Sequence, residues 1–280
     1  MGGGRAGASP RGRGTRRPTL NGAAFVPKAV VVLVHGPCLG PWVWDDGHDG
    51  LRPRLESLGL RCFAPDLHEA WPPGPWSRRI AHLPLSRYID RLHAMLGHLE
   101  GPKILVGHSM GARVVEGLIA RGAHDGAVLI SPTPPDGLEA AARGLAARHP
   151  AALARALLAR RPLLLLGEPG QPDPVRVREL LLGARASEAL AARVAASLRD
   201  ESFAACLDWL RPQPVPRDAD VPVLAISGRD DPLVTPAALR RTAVAWDAVA
   251  HVVPHAGHCP MLGTGAGIVA RHIERWLFDT

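Results

Sequence analysis

Apolar residues in this chain gather into short unbroken runs, with longer stretches of helical period between them. Ala29 to Val34 is a continuous, mostly β-branched run; Leu60 to Ala64, Lys103 to Val106 and Ala127 to Ile130 are three more. Runs of this length without polar alternation suit strands buried on both faces. Between them, Ser86 is placed as a helix N-cap, followed by Ile89, Leu92, Leu96 and Leu99 at helical spacing. Ala112 to Ala120 reads as another helix. The alternation resumes with Val223 to Ser227 and Ala250 to Pro254, then closes on a helix from about Ala266 to Leu277. Strands alternating with helices predict an α/β fold with a mostly parallel sheet flanked by helices.

From 133 to 217 the strand signal vanishes. This segment is rich in Ala, Leu and Arg, has helical periodicity, and is broken at Pro150, Pro162, Pro169, Pro172 and Pro174. It predicts an inserted helical cap on a core made of residues 28–132 and 218–280.

Candidate chemistry centres on Gly107-His108-Ser109-Met110-Gly111. The G-x-S-x-G pattern places a serine on a sharp turn between a buried strand and a helix, with its hydroxyl clear of the sheet. Such a serine is a nucleophile candidate, and it needs a base and a carboxylate to orient that base. On a turn of this kind the partners follow in the order serine, acid, histidine. The strand Val223 to Ser227 runs into Gly228-Arg229-Asp230-Asp231-Pro232, making Asp231 the acid, with Asp230 as its rival. The strand Ala250 to Pro254 runs into His255-Ala256-Gly257-His258, making His258 the base, with His255 and His251 as rivals.

With these motifs the chain resembles the α/β-hydrolase fold superfamily of the serine-nucleophile type. His35-Gly36 after the first strand, the serine turn, the acid loop and the Ala256-Gly257-His258 loop carry the likeness. His35-Gly36-Pro37-Cys38-Leu39-Gly40-Pro41-Trp42-Val43-Trp44 is most similar to the methylesterase and hydroxynitrile lyase branch. The resemblance implies that the cap roofs an acyl or alcohol pocket, walled by residues such as Leu163 to Leu166, Phe203, Leu207 and Trp209. Trp42, Trp44, His35 and Trp209 are the expected substrate contacts. It also implies two backbone N–H donors for a developing oxyanion: Met110, and the residue after His-Gly. That second residue is Pro37, which has no N–H. Either Cys38 N–H takes its place, or the reaction does not require a full oxyanion hole.

Composition narrows the rest. With 280 residues, 46% of them hydrophobic, the chain can bury one large core. No apolar run approaches the ~20 residues needed to span a bilayer. Of the formal charge of +7, six charges (Arg5, Arg11, Arg13, Arg16, Arg17 and Lys28) lie in the first 28 residues, where there is no acid. Residues 1–27 therefore read as a disordered basic tail, and the rest as nearly neutral, which argues against a nucleic-acid or membrane partner. The four cysteines show no zinc spacing. The expectation is a cytoplasmic serine hydrolase for an ester or thioester with an apolar acyl group, needing a small-molecule substrate, no cofactor and no metal. The alternatives are a lyase, eliminase or cyclase using Ser109 and His258 for proton transfer, and a non-catalytic small-molecule receptor.

Overall fold

The first strand, β1 (Val30–Val34), is buried at every position, and the reason is its place in the sheet. The computed structural model describes residues 29–46, 50–71, 78–122, 124–215 and 220–278; the expected basic tail lies outside them. In chain order, α1 (Leu51–Ser57), β2 (Arg61–Phe63), α2 (Arg78–Ala81), α3 (Leu85–Leu96), β3 (Lys103–His108), α4 (Met110–Ile119) and β4 (Gly126–Ile130) make the first half. An insertion follows: α5 (Glu139–Arg148), α6 (Pro150–Ala159), β5 (Gly167–Glu168), β6 (Gln171–Pro172), α7 (Pro174–Val177), α8 (Glu188–Ser197) and α9 (Phe203–Leu210). The chain then returns through β7 (Val223–Gly228), α10 (Pro236–Trp246), β8 (Val249–Val253) and α11 (Gly265–Phe278).

Six strands pair in the order β2-β1-β3-β4-β7-β8, every pair parallel. Successive side chains of a strand point to opposite faces, so each apolar run feeds two cores. Val31, Leu33, Ile104, Val106, Val128 and Ile130 pack with Leu51 and Leu55 of α1 and with Ile273 and Trp276 of α11. Val30, Val32, Val34, Leu105, Ala127 and Leu129 pack with Tyr88 and Leu92 of α3 and with Val114 and Leu118 of α4. The edge strands β2 and β8 are only partly buried.

Two local expectations need correction. Ser86 does not cap α3: Pro84 holds the N-cap position, and Asp208 of α9 accepts from the Leu85 N–H at 3.1 Å. A carboxylate supplied from the insertion thus replaces the local cap. Nor is the insertion purely helical, because Gly170 at φ 80° turns the chain so that β5 and β6 pair antiparallel. Among the described residues no helix is long and apolar enough to cross a membrane.

The chain steps from β1 outward to β2 and returns on the other side of β1 as β3. At such a reversal the loops leaving the two strands diverge and open a crevice above their carboxyl ends. The loop after β1 and Ser109 after β3 meet there. The approach is tight: a Cβ on Gly111 would lie 2.3 Å from the Val34 carbonyl oxygen and 2.4 Å from that of His35. Neither atom is free to move, since both belong to backbone, at the last residue of β1 and the residue after it. Gly111→Ala is therefore expected to destabilise the fold by on the order of 3 kcal/mol or more in urea unfolding. An unchanged midpoint would contradict this packing.

Candidate active site

Ser109 sits between β3 and α4 at φ 55°, ψ −118°, a conformation that few non-glycine residues adopt. Its N–H donates to Ile130 O at 2.8 Å, pinning the turn to β4. The hydroxyl meets His258 Nε2 at 2.8 Å, and His258 Nδ1 meets Asp231 Oδ2 at 2.9 Å. Asp231 Oδ1 accepts the N–H groups of Leu233 and Val234 at 2.8 and 2.9 Å. A carboxylate that only accepts assigns the Nδ1 proton to the imidazole, so Nε2 is bare and faces the serine O–H. All three side chains are buried.

The rival residues are placed elsewhere. Asp230 is exposed, and its N–H donates to Ala256 O. His255 is also exposed, while His251 stacks on His272 of α11 with ring centroids 3.9 Å apart.

Two residues hold the base by its backbone. His108 Nε2 and Ser131 Oγ both donate to the His258 carbonyl oxygen, at 2.9 and 2.8 Å. Burial, reinforced by the neighbouring His258, pushes the His108 pKa well below the usual imidazole value, so the ring is neutral. Its one proton points at the carbonyl, and its Nδ1 is left as an acceptor with no partner among the described residues. Ser131 carries no local sequence signal: it follows β4 as any loop serine could.

Beside Ser109's neighbours His108 and His258 lies a cavity of about 180 Å³. Its core-side wall includes Pro37, Cys38, His108 and His258; Leu145, Leu165, Phe203 and Trp209 are among the residues roofing it from the insertion. The lining is apolar apart from the two imidazoles, the thiols of Cys38 and Cys206, and Trp209, whose indole N–H has no partner among the described residues. Burial raises both thiol pKa values well above normal, helped by the Glu201 carboxylate, so neither group brings a charge. Of the expected substrate contacts, only Trp209 reaches this wall. Leu165, Leu166, Phe203 and Leu207 reach it too, whereas Leu163 and Leu164 are buried without lining it.

Three expected contacts are corrected. The short 3-10 turn Pro41–Trp44 carries both tryptophans away from the cavity. Trp44 is wholly buried in the core beside α1, and Trp42 borders a separate polar groove with Asp45, Asp46 and Arg193. His35 is wholly buried and does not line this cavity: its Nδ1 donates to Gly36 O at 2.9 Å, and its Nε2 accepts from Leu67 N–H at 3.0 Å. It holds the loop after β1 in shape. As for the two donor candidates, neither Met110 N–H nor Cys38 N–H has a hydrogen-bond partner among the described residues.

A family model described as Alpha/beta hydrolase family matches residues 31–271. The chain belongs to that family. Solved structures share the hydrolase fold at low identity. A putative non-heme bromoperoxidase from Mycobacterium tuberculosis is 21% identical with TM-score 0.68, covering 90% of this chain and 92% of its own. Polyneuridine aldehyde esterase is 20% identical with TM-score 0.63, covering 88% and 99%. A thermophilic esterase from Thermogutta terrifontis is 19% identical with TM-score 0.65, covering 90% of both chains. No curated protein sequence matches this one.

Chemically, this hydrolase-family site can take the serine proton onto His258 and stabilise the resulting imidazolium with Asp231. In Asp231→Asn the amide can donate to Nδ1, so the imidazole proton moves to Nε2 and the serine loses its acceptor. The rate of Ser109 phosphonylation by a fluorophosphonate should fall by roughly 10⁴, the loss that the same change causes in a serine triad. A rate within tenfold of wild type would show that Asp231 does not set the tautomer.

Proposed function

We propose that the protein is a serine hydrolase that cleaves a carboxylic ester or thioester with an apolar acyl group. The observation that carries this reading is the hydrogen-bonded series from Ser109 Oγ through His258 to Asp231, with His258 in the wall of a mostly apolar cavity. Ser109 Oγ attacks the substrate carbonyl carbon as its proton passes to His258 Nε2. The tetrahedral oxyanion is met by Met110 N–H at the amino end of α4 and by Cys38 N–H. Collapse breaks the bond to the leaving alkoxide or thiolate, which takes the proton from His258. Water, activated by the same imidazole, then releases the acid. No step calls on a metal or an organic cofactor, and the substrate is a small molecule.

Pro37 supports a second reading. With no N–H at the position after His-Gly, an elimination or ring-closing reaction using only the Ser109–His258 proton relay would suit the site as well. The two readings differ in a covalent intermediate. With p-nitrophenyl butyrate, the hydrolase should release a stoichiometric burst of nitrophenol and carry a butyryl group on Ser109 by mass spectrometry. Ser109→Ala should show neither while keeping its melting temperature. Absence of burst and adduct from the wild type would sink the hydrolase reading.

The cavity wall also sets a preference. A carboxylate at the end of the acyl chain would be buried there with no Lys or Arg in the lining to pair with it, a cost of several kcal/mol. A p-nitrophenyl ester of a dicarboxylic half-acid is therefore expected to turn over more slowly, on the order of 100-fold or more, than the apolar ester of equal length. Comparable kcat/KM values would mean that the acyl chain binds elsewhere.

A further inference from the structure

The loop that must supply the second donor is held from outside the core. Arg199, just beyond the end of α8 in the insertion, donates its backbone N–H to Cys38 O at 2.9 Å. Its Nη2 donates to Leu39 O at 3.2 Å. The same guanidinium grips Asp66 end-on, Nη1 to Oδ2 and Nη2 to Oδ1, both at 2.9 Å. It packs against Gly40, where a Cβ would come within 2.6 Å of Nη2. On the other side of Pro37, His35 Nδ1 donates to Gly36 O. The carbonyls of Gly36, Cys38 and Leu39 are thus all engaged. Between them stands the Pro37–Cys38 peptide, with Cys38 at φ 60° and its N–H without a partner among the described residues.

Arg199 is itself anchored. Glu201, two residues on and wholly buried, accepts from Tyr88 Oη at 2.7 Å and meets His68 Nε2 at 3.1 Å. Ser202 Oγ donates to Leu83 O at 2.7 Å. Residues 199–202 therefore form a strap fastened to the loop after β2 and to the start of α3. Burial opposes the charge on Asp66, but the paired bonds from Arg199 and the His68 N–H outweigh it and keep the carboxyl ionised. The pair is partly open to water, so its value is geometric more than energetic.

We propose that Arg199 is a positioning residue that holds Cys38 N–H toward Ser109, so that the insertion completes the oxyanion hole which Pro37 leaves half-built. This rests on the hydrolase reading above. Lysine cannot replace arginine here, because one ammonium cannot span both Asp66 oxygens and the Leu39 carbonyl.

The test uses two inhibitors on the full-length protein: an aliphatic trifluoromethyl ketone, which forms an oxyanion on Ser109, and the alcohol of equal chain length, which only fills the cavity. In Arg199→Ala, kcat for p-nitrophenyl butyrate is expected to fall on the order of 100-fold with KM within threefold, the lower range for losing one such donor. Ketone affinity should fall by the same factor as kcat/KM, while alcohol affinity stays unchanged. Arg199→Lys should be intermediate. Asp66→Asn, which keeps the side-chain volume, should shift in the same direction and carries the test if Arg199→Ala does not fold. Unchanged kcat and ketone affinity in these variants would overturn the proposal. So would equal weakening of ketone and alcohol, which is the mark of a collapsed cavity. A wild type that binds the alcohol but neither ketone nor ester would sink the hydrolase reading and this assignment together. Tight ketone binding by both wild type and variants would sink the assignment alone.

Discussion

The first turn of α4 runs so close to the end of β1 that only hydrogen fits on the α-carbon of Gly111. Gly107 is equally confined on the other side of the turn, where a Cβ would lie 2.5 Å from Gly111 O. This contact forces the chain to turn within one residue, and that residue is Ser109, held at φ 55°. Backbone strain of this kind costs of order 1–3 kcal/mol and persists only where surrounding packing over-determines it. Here the packing is the central sheet, with every residue of β1 and β4 buried. In return the hydroxyl stands clear of the sheet, and the first N–H groups of α4 point to the same space.

The rest of the site is arranged around that fixed point. His258 comes from a loop whose carbonyl is tied down twice, by His108 and Ser131. Asp231 spends one oxygen on its own loop and the other on the imidazole. These bonds carry orientation more than stability, since a net hydrogen bond contributes only about 1 kcal/mol. Around them the cavity wall carries no cationic side chain, so an oxyanion formed there depends on neutral N–H donors, the backbone ones beside Ser109 first. In a water-poor site such donors count for far more than they would in solvent.

Much of this was legible in the chain, and the reason is locality. A strand buried on both faces needs an unbroken apolar run, so β1, β3, β4 and β7 stand out in the sequence. The serine turn is a five-residue pattern, and Asp231 and His258 follow from their places after late strands. What was not legible depends on residues distant in sequence. Asp66 and Arg199 are 133 positions apart, and no local pattern joins them. Ser131 acquires its role only because β4 ends beside the His258 loop. Trp42 and Trp44 have a spacing that fits a pocket wall, yet the 3-10 turn sends one ring into the core and the other to a separate groove. His35 stays out of the cavity for a related reason: its hydrogen bonds to Gly36 and Leu67 use both ring nitrogens for the loop itself.

The serine turn fixes where the Ser109 hydroxyl stands; Pro37 makes the holding of negative charge the central question. The most direct test is a crystal structure of Ser109 phosphonylated by a fluorophosphonate bearing an apolar chain. The account expects the phosphonyl oxygen within about 3 Å of both Met110 N and Cys38 N, with the chain inside the cavity beside Phe203 and Trp209. An oxygen that meets Met110 N alone, with Cys38 N–H turned away from Ser109, would contradict it.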